Sequence, residues 1–156
     1  MIVKNQQEAL CVACEMERRA IRVYERALLL ATDPAVLQGI RAILQDEWQH
    51  LRTFSAMKAQ CCADGEAEEQ AVLSAMAAEA LFPGGVMEMR RAQGLTSLRG
   101  LYTFARDSEA DAVRTYSDFA EKCTDPQVRA AFESIAKEEG THLTALEDTL
   151  ATLAEN

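Results

Sequence analysis

Basic residues are in the minority: 16 Lys and Arg stand against 25 Asp and Glu, a net charge of −9. That excludes nucleic acid and an anionic membrane surface as partners. No apolar run is long enough to span a bilayer. Met1-Ile2-Val3-Lys4 opens no signal-peptide pattern, so the expected setting is cytoplasmic. There is no strand alternation, no Gly-rich phosphate loop and no low-complexity tail. Cysteine is present but in an odd set: Cys11, Cys14, Cys61, Cys62 and Cys123. This is not a secreted disulfide framework. Cys11-x-x-Cys14 lacks the second pair that an iron–sulfur or rubredoxin-like centre needs. It lies inside a helical pattern and reads as core packing, the other reading being a redox or accessory metal role.

Histidine is scarcer still. The chain has two, His50 and His142. Each closes a Glu-x-x-His: Glu47-Trp-Gln-His50 and Glu139-Gly-Thr-His142. On a helix, residues i and i+3 share a face about one turn apart, so a carboxylate and an imidazole there can grip one metal ion. Sliding the chain against itself by 92 (109 − 17) superimposes the two phrases. Glu17 falls on Glu109, Tyr24 on Tyr116, Asp33-Pro34 on Asp125-Pro126, Val36 on Val128 and Ile43 on Ile135. No gap is needed from 17 to 51. Shared helical structure explains the apolar matches, but not why both histidines are among them. Each half therefore reads as one helical hairpin: Glu-x6-Tyr, a Thr-Asp-Pro turn, then Glu-x-x-His.

The hydrophobic fraction of 49% is enough for a core, and the length suits one domain over 1–156. Periodicity predicts a first helix from about Lys4 to Ala31, with Leu10, Ala13, Glu17, Ala20, Tyr24 and Leu28 on its apolar stripe. Asp33 is a good N-cap and Pro34 suits a first turn. The second helix runs from about Pro34 to Cys62, with Val36, Ile40, Ile43, Glu47, His50, Phe54 and Met57 inward. A third begins near Leu95 or Thr96 and ends near Lys122; its stripe is Leu98, Tyr102, Ala105, Glu109, Ala112 and Tyr116. A fourth spans about Pro126 to Ala154, with Val128, Phe132, Ile135, Glu139, His142, Leu146 and Leu150 inward. The fold class is all-α: a ferritin-like four-helix bundle of two repeated hairpins, joined by a long, partly helical crossover over 63–94. The crossover either closes the bundle within one chain or carries a hairpin to a second subunit.

Six side chains then converge: Glu17, Glu47, His50, Glu109, Glu139 and His142. One Glu from each of two helices and a Glu-x-x-His from each of the others is the ligand set of a di-iron or di-manganese carboxylate site. Four carboxylates cancel two divalent cations; without metal they repel and some must take up protons. Oxygen and imidazole donors without thiolate suit iron or manganese, and zinc also binds such sets. Glu47 and Glu139 are placed to bridge, with Glu17 and His50 completing one shell and Glu109 and His142 the other. Tyr24 and Tyr116 are either hydroxyls that bond a ligand carboxylate or guard a radical pathway, or amphipathic core residues. Asp46 and Glu138 either orient a histidine from outside or face solvent. Arg22 and Arg114 read as surface, and Trp48 as a packing or interface residue off the ligand face.

The phrases Glu17-Arg-Arg-Ala-Ile-Arg-Val-Tyr24, Glu47-Trp-Gln-His50, Glu109-Ala-Asp-Ala-Val-Arg-Thr-Tyr116 and Glu139-Gly-Thr-His142 resemble the rubrerythrin branch of the ferritin-like superfamily. The likeness covers nearly all the chain except the crossover. It implies a non-haem di-iron protein, and the expected assembly is a homodimer with its hairpins exchanged between subunits or not. Such a protein reduces hydrogen peroxide or oxygen with two electrons and defends against oxidative stress as a peroxidase-type oxidoreductase. Two departures stand out. The rubredoxin-like domain is missing, which implies a separate rubredoxin-like electron donor. The extra Glu one turn from the third-helix ligand is also missing; Arg106 and Ala112 occupy those places. The other function left open is iron binding, ferroxidase action or metal sequestration without peroxidase turnover.

Overall fold

The computed structural model describes residues 3, 5–61 and 96–153. Within them lie four helices: α1 Gln6–Leu30, α2 Pro34–Cys61, α3 Leu98–Lys122 and α4 Pro126–Thr152. The predicted crossover over 63–94 falls outside the described residues. No described helix is long and apolar enough to cross a membrane.

The helix ends follow from polar side chains that take up the first free N–H groups. Asn5 accepts from Glu8 N at 2.8 Å and Ser97 from Gly100 N at 3.1 Å. Asp33 accepts from Ala35 and Val36 N, and Asp125 from Gln127 and Val128 N. The caps move two expected starts inward, from Lys4 to Gln6 and from Leu95 or Thr96 to Leu98. They also extend the repeat beyond the sequence match. Asn5 and Ser97, Gln6 and Leu98, Leu30 and Lys122, and Pro34 and Pro126 are each 92 apart.

α1 packs on α2 and α3 on α4, as two hairpins; α1 then meets α3, and α2 meets α4. The core divides into two apolar ends. One holds Leu10 and Ala13 of α1 with Phe54, Tyr116, Phe119 and Phe132. The other holds Tyr24 and Ala27 with Ile40, Leu101, Tyr102 and Leu146. The start of α1 thus lies beside the end of α3, so these helices are antiparallel. The end of α2 and the start of α3 lie at opposite ends of the bundle, the arrangement of a bundle with one long crossover. Aromatic rings close the first end, with Phe54 and Phe132 centroids 4.9 Å apart and Phe119 and Phe132 5.5 Å apart. Between the two apolar ends sits a layer of Glu and His.

Candidate metal centre

All six predicted ligands are in that layer, and all are buried. Glu17, Glu47 and Glu139 are each 1% exposed, His50 2%, Glu109 3% and His142 5%. Isolated charges do not survive such burial; they must pair, take up protons or bind metal. The donor atoms fall into two groups, each within 4.8 Å internally. One is Glu17, Glu47, His50 and Glu139; the other is Glu47, Glu109, Glu139 and His142. Glu47 and Glu139 belong to both, as the pair expected to bridge would.

Each imidazole turns Nδ1 inward. His50 Nδ1 lies 3.1 Å from Glu139 Oε1 and 3.7 Å from Glu17 Oε2. His142 Nδ1 lies 3.1 Å from Glu47 Oε1 and 2.8 Å from Glu139 Oε2. The outer nitrogens reach across to the opposite hairpin. His50 Nε2 meets Glu138 Oε2 at 2.9 Å, and His142 Nε2 meets Asp46 Oδ2 at 3.2 Å. Of the two readings of Asp46 and Glu138, the one that orients a histidine holds. An Nε2–H that donates to a carboxylate leaves the Nδ1 lone pair for the interior.

The tyrosines also act across the bundle. Tyr24 O–H donates to Glu109 Oε1, and Tyr116 O–H to Glu17 Oε1. Neither can reach the Glu on its own helix, because seven residues rise about 10 Å. Both contacts have the internal symmetry of the sequence: moving Tyr24 and Glu109 by 92 in opposite directions gives Tyr116 and Glu17. Arg22 and Arg114 lie on the surface, with side chains 48% and 71% exposed. Trp48 is 43% exposed, off the ligand face. Cys11 and Cys14 are buried in α1, and Cys14 Sγ lies 3.7 Å from Ser55 Oγ.

The electrostatics are those of a site short of cations. Burial pushes Glu17, Glu47 and Glu109 above the ordinary carboxylate range, reinforced in each case by the Glu139 charge. Burial works against charged imidazole, but hydrogen bonds to Glu139 and Glu17 outweigh it and hold His50 at about 11. Glu139 and Glu47 do the same for His142, at about 10. Burial opposes the Glu139 charge too, yet the hydrogen bonds from His142 and His50 bring it down to about 2. Even so, Glu17 Oε2, Glu47 Oε1 and His50 Nδ1 make only loose ionic contacts and no well-directed hydrogen bond. Buried acceptors left open are costly. Cations on this donor set would satisfy all three, so the residues present fit a pair of metal ions.

A cavity of about 30 Å³ adjoins the cluster on its α1–α3 side, bordered by Glu17, Glu47, Glu109 and Glu139. Arg19 is part of its wall although only 7% exposed. Its Nε donates to Glu15 at 3.1 Å. Helical spacing places Arg19 off the apolar stripe, so sequence reasoning misses it.

The family model described as Rubrerythrin matches residues 88–156, which include both helices of the second hairpin. Searches of curated proteins and of solved structures find no match to the chain.

Proposed function

With the chain placed in the ferritin-like rubrerythrin family, we propose that Glu17, Glu47, His50, Glu109, Glu139 and His142 hold two iron ions and reduce hydrogen peroxide or oxygen. The observation that carries this reading is the pair of donor groups sharing Glu47 and Glu139. Manganese or zinc fits the same oxygen and imidazole donors. When bound and reduced, two irons would supply the two electrons that peroxide O–O cleavage requires.

The protein's own side chains supply the rest. Glu47 and Glu139 would be shared by the two ions, and the Nδ1 atoms of His50 and His142 would each serve one of them. Glu138 and Asp46 fix the ring orientations by accepting from Nε2–H. Tyr24 and Tyr116 steady Glu109 and Glu17. Burial, with the nearby Glu109 charge for Tyr24 and Glu17 charge for Tyr116, pushes both phenols well above their ordinary range. They therefore keep their protons at neutral pH, as donors beside the reacting centre. The two apolar ends exclude water. Electrons come from a separate rubredoxin-like protein, and the working form is a cytoplasmic homodimer, its hairpins exchanged or not.

A second reading has its own observation. One turn from Glu109 the chain places Ala112, buried and apolar, and Arg106, which pairs with Asp107. No carboxylate is there for an ion to switch to, which favours iron binding or ferroxidase action without peroxidase turnover. Repeated cycles of peroxide and reductant on iron-loaded protein separate the two. Visible iron absorption that appears and bleaches over many cycles supports the oxidoreductase. One oxidation without recovery supports iron handling, and reduced, loaded protein inert to both oxidants ends both.

A further inference from the structure

The two hairpins match at every ligand, but their outer faces do not. Trp48, the chain's one tryptophan, is 43% exposed, and the shift of 92 sets Gly140 in its place. Leu29, 76% exposed, gives way to Glu121. Arg18 gives way to Ala110, Arg41 to Glu133 and Arg52 to Thr144; only Arg22 keeps its kind, as Arg114.

These six residues of the first hairpin share one face. Cys14 Sγ and Ser55 Oγ meet across the α1–α2 seam at 3.7 Å. Arg18 is four residues from Cys14 and Trp48 seven from Ser55, so each stays on the side its helix turns to that seam. At 1.5 Å per residue, Trp48 lies about 10 Å from the contact along α2, and Arg18 and Arg22 about 6 and 12 Å along α1 in the same direction. Leu29 and Arg41 share a level further on, and Arg52 follows Trp48 by one turn. The other side of α2 is taken by α4, where Asp46 meets His142. In a chain of net charge −9, four arginines thus flank an exposed indole. The acids beside them are Glu25 and Glu15, and Glu15 is shared with the buried Arg19. Single exposed apolar residues are ordinary, but tryptophan among arginines is the composition of an interface centre. Trp48 also follows Glu47 in the chain, with Cα atoms about 3.8 Å apart. The indole is therefore one peptide unit from a carboxylate that both donor groups share.

We propose that the outer face of α1 and α2, centred on Trp48, is where an acidic electron-donor protein docks. The inference rests on the function proposed above and adds the partner's charge and its seat. Each docking passes one electron: the donor's redox centre is oxidised, one ferric ion is reduced to ferrous, and no bond forms or breaks. Two dockings restore the reduced pair. Basic side chains on the face steer an acidic partner and fix its orientation. They do not suit a second copy, because a two-fold pair would set the same arginines against one another.

A single tryptophan makes the face readable. Protein grown on fluorotryptophan gives one fluorine NMR signal, from position 48. Zinc-loaded protein, which takes no electron, is titrated with a rubredoxin of strongly negative net charge. The signal should shift to saturation at low salt and return at high salt, as screening requires. In iron-loaded protein, reduction by the same rubredoxin is timed beside reduction by dithionite. Arg18→Glu and Arg41→Glu, on different helices, should each weaken binding and slow reduction by rubredoxin roughly tenfold. Reduction by dithionite should stay near the parent rate. Arg114→Glu, the same change on the second hairpin, should alter neither readout. A signal that rubredoxin leaves unmoved, or Arg18→Glu and Arg41→Glu proteins that behave like Arg114→Glu, overturns the docking face. So does a signal that moves with the protein's own concentration, which would give the face to a second copy. A parent that loads and reduces iron yet leaves peroxide and oxygen untouched overturns the function instead; the zinc-loaded titration still reads the face.

Discussion

The Tyr116 hydroxyl on α3 donates to Glu17 on α1 at 2.5 Å, across the seam between the hairpins. Tyr24 makes the matching contact to Glu109. These bonds tie the two halves together at the level of the polar layer. The bond to Glu17 Oε1 leaves Glu17 Oε2 without a hydrogen-bond partner, open to a cation.

Tyr116→Phe removes the donor and leaves a further buried acceptor open on Glu17. Such a loss costs about 1–3 kcal/mol. For a domain of this size that lowers the melting temperature of metal-free protein by roughly 2–10 °C. Tyr24→Phe should do the same. The double variant should fall by more than either, and iron content should stay near the parent value in all three. Thermal denaturation followed by circular dichroism, beside metal analysis, checks this. A Tyr116→Phe protein that melts at the parent temperature would remove the bond from the account of stability.

Metal removal and return give the next expectation. Ions that bind only the folded state add about 2.7 kcal/mol at a hundredfold excess over Kd, so iron should raise the melting temperature of stripped protein. The sharing of Glu47 and Glu139 between the donor groups makes the loss unequal. Glu47→Ala and Glu139→Ala should forfeit nearly all of the gain. Glu17→Ala or Glu109→Ala should leave one site and part of it. Equal losses from all four would mean that no carboxylate bridges.

The shift of 92 made the bundle and the six ligands readable without coordinates. The six ligands are among the residues that repeat, and they fold to one level, both histidines included. The caps obey the same shift; the starts of α1 and α3 lay two or three residues from their expected places, and those of α2 and α4 at them. Partners across the seam were not. Tyr24 reads as a neighbour of Glu17 along the chain, yet the antiparallel run of α1 and α3 sets it beside Glu109. The inward nitrogen of each His, and the choice for Asp46 and Glu138 between solvent and imidazole, depend on the approach of α2 to α4. No periodicity encodes that approach. Arg19 and the cavity were hidden for a related reason: a void is a property of side chains that face one another across the α1–α3 seam, and no single helix encodes it.

Acidity should act on the metal-free protein in a definite direction. His50 and His142 are raised to about 11 and about 10. A raised histidine stabilises fully below its unfolded value near 6.5, and that contribution drains away as pH climbs through the folded value. Glu17, Glu47 and Glu109 are raised as well, and their contribution also falls as pH rises above the unfolded carboxylate range. Glu139, lowered to about 2, works the other way: its contribution is complete above about 4.5 and lost only as pH drops through 2. Metal-free protein should therefore melt at progressively lower temperature from about pH 6.5 toward 10–11. Calorimetry at pH 6, 7.5 and 9 measures this, with the iron-loaded protein as reference. A melting temperature that climbs over that interval would contradict the protonated cluster.

The carboxylates outside the cluster supply the last expectation. Glu138 and Asp46 are half exposed, each side chain 52% accessible, yet each holds the outer nitrogen of a buried His. Exposure makes the ion pair itself weak, so Glu138→Ala should cost little stability. Its effect should fall on the metal. Without an acceptor at Nε2 the His50 ring loses its fixed orientation and the basicity of Nδ1, which in such sites weakens binding about 10–100-fold. The loss should be confined to the ion bound by His50 and Glu17. Asp46→Ala should weaken the ion bound by His142 and Glu109 and spare the other. Glu138→Gln keeps an acceptor oxygen and should recover part of the affinity. Titration of stripped protein with cobalt(II), followed by its visible absorption, resolves two binding steps and shows which one moves. If Glu138→Ala weakens both steps equally, the cross-hairpin contact acts on the whole cluster rather than on one imidazole.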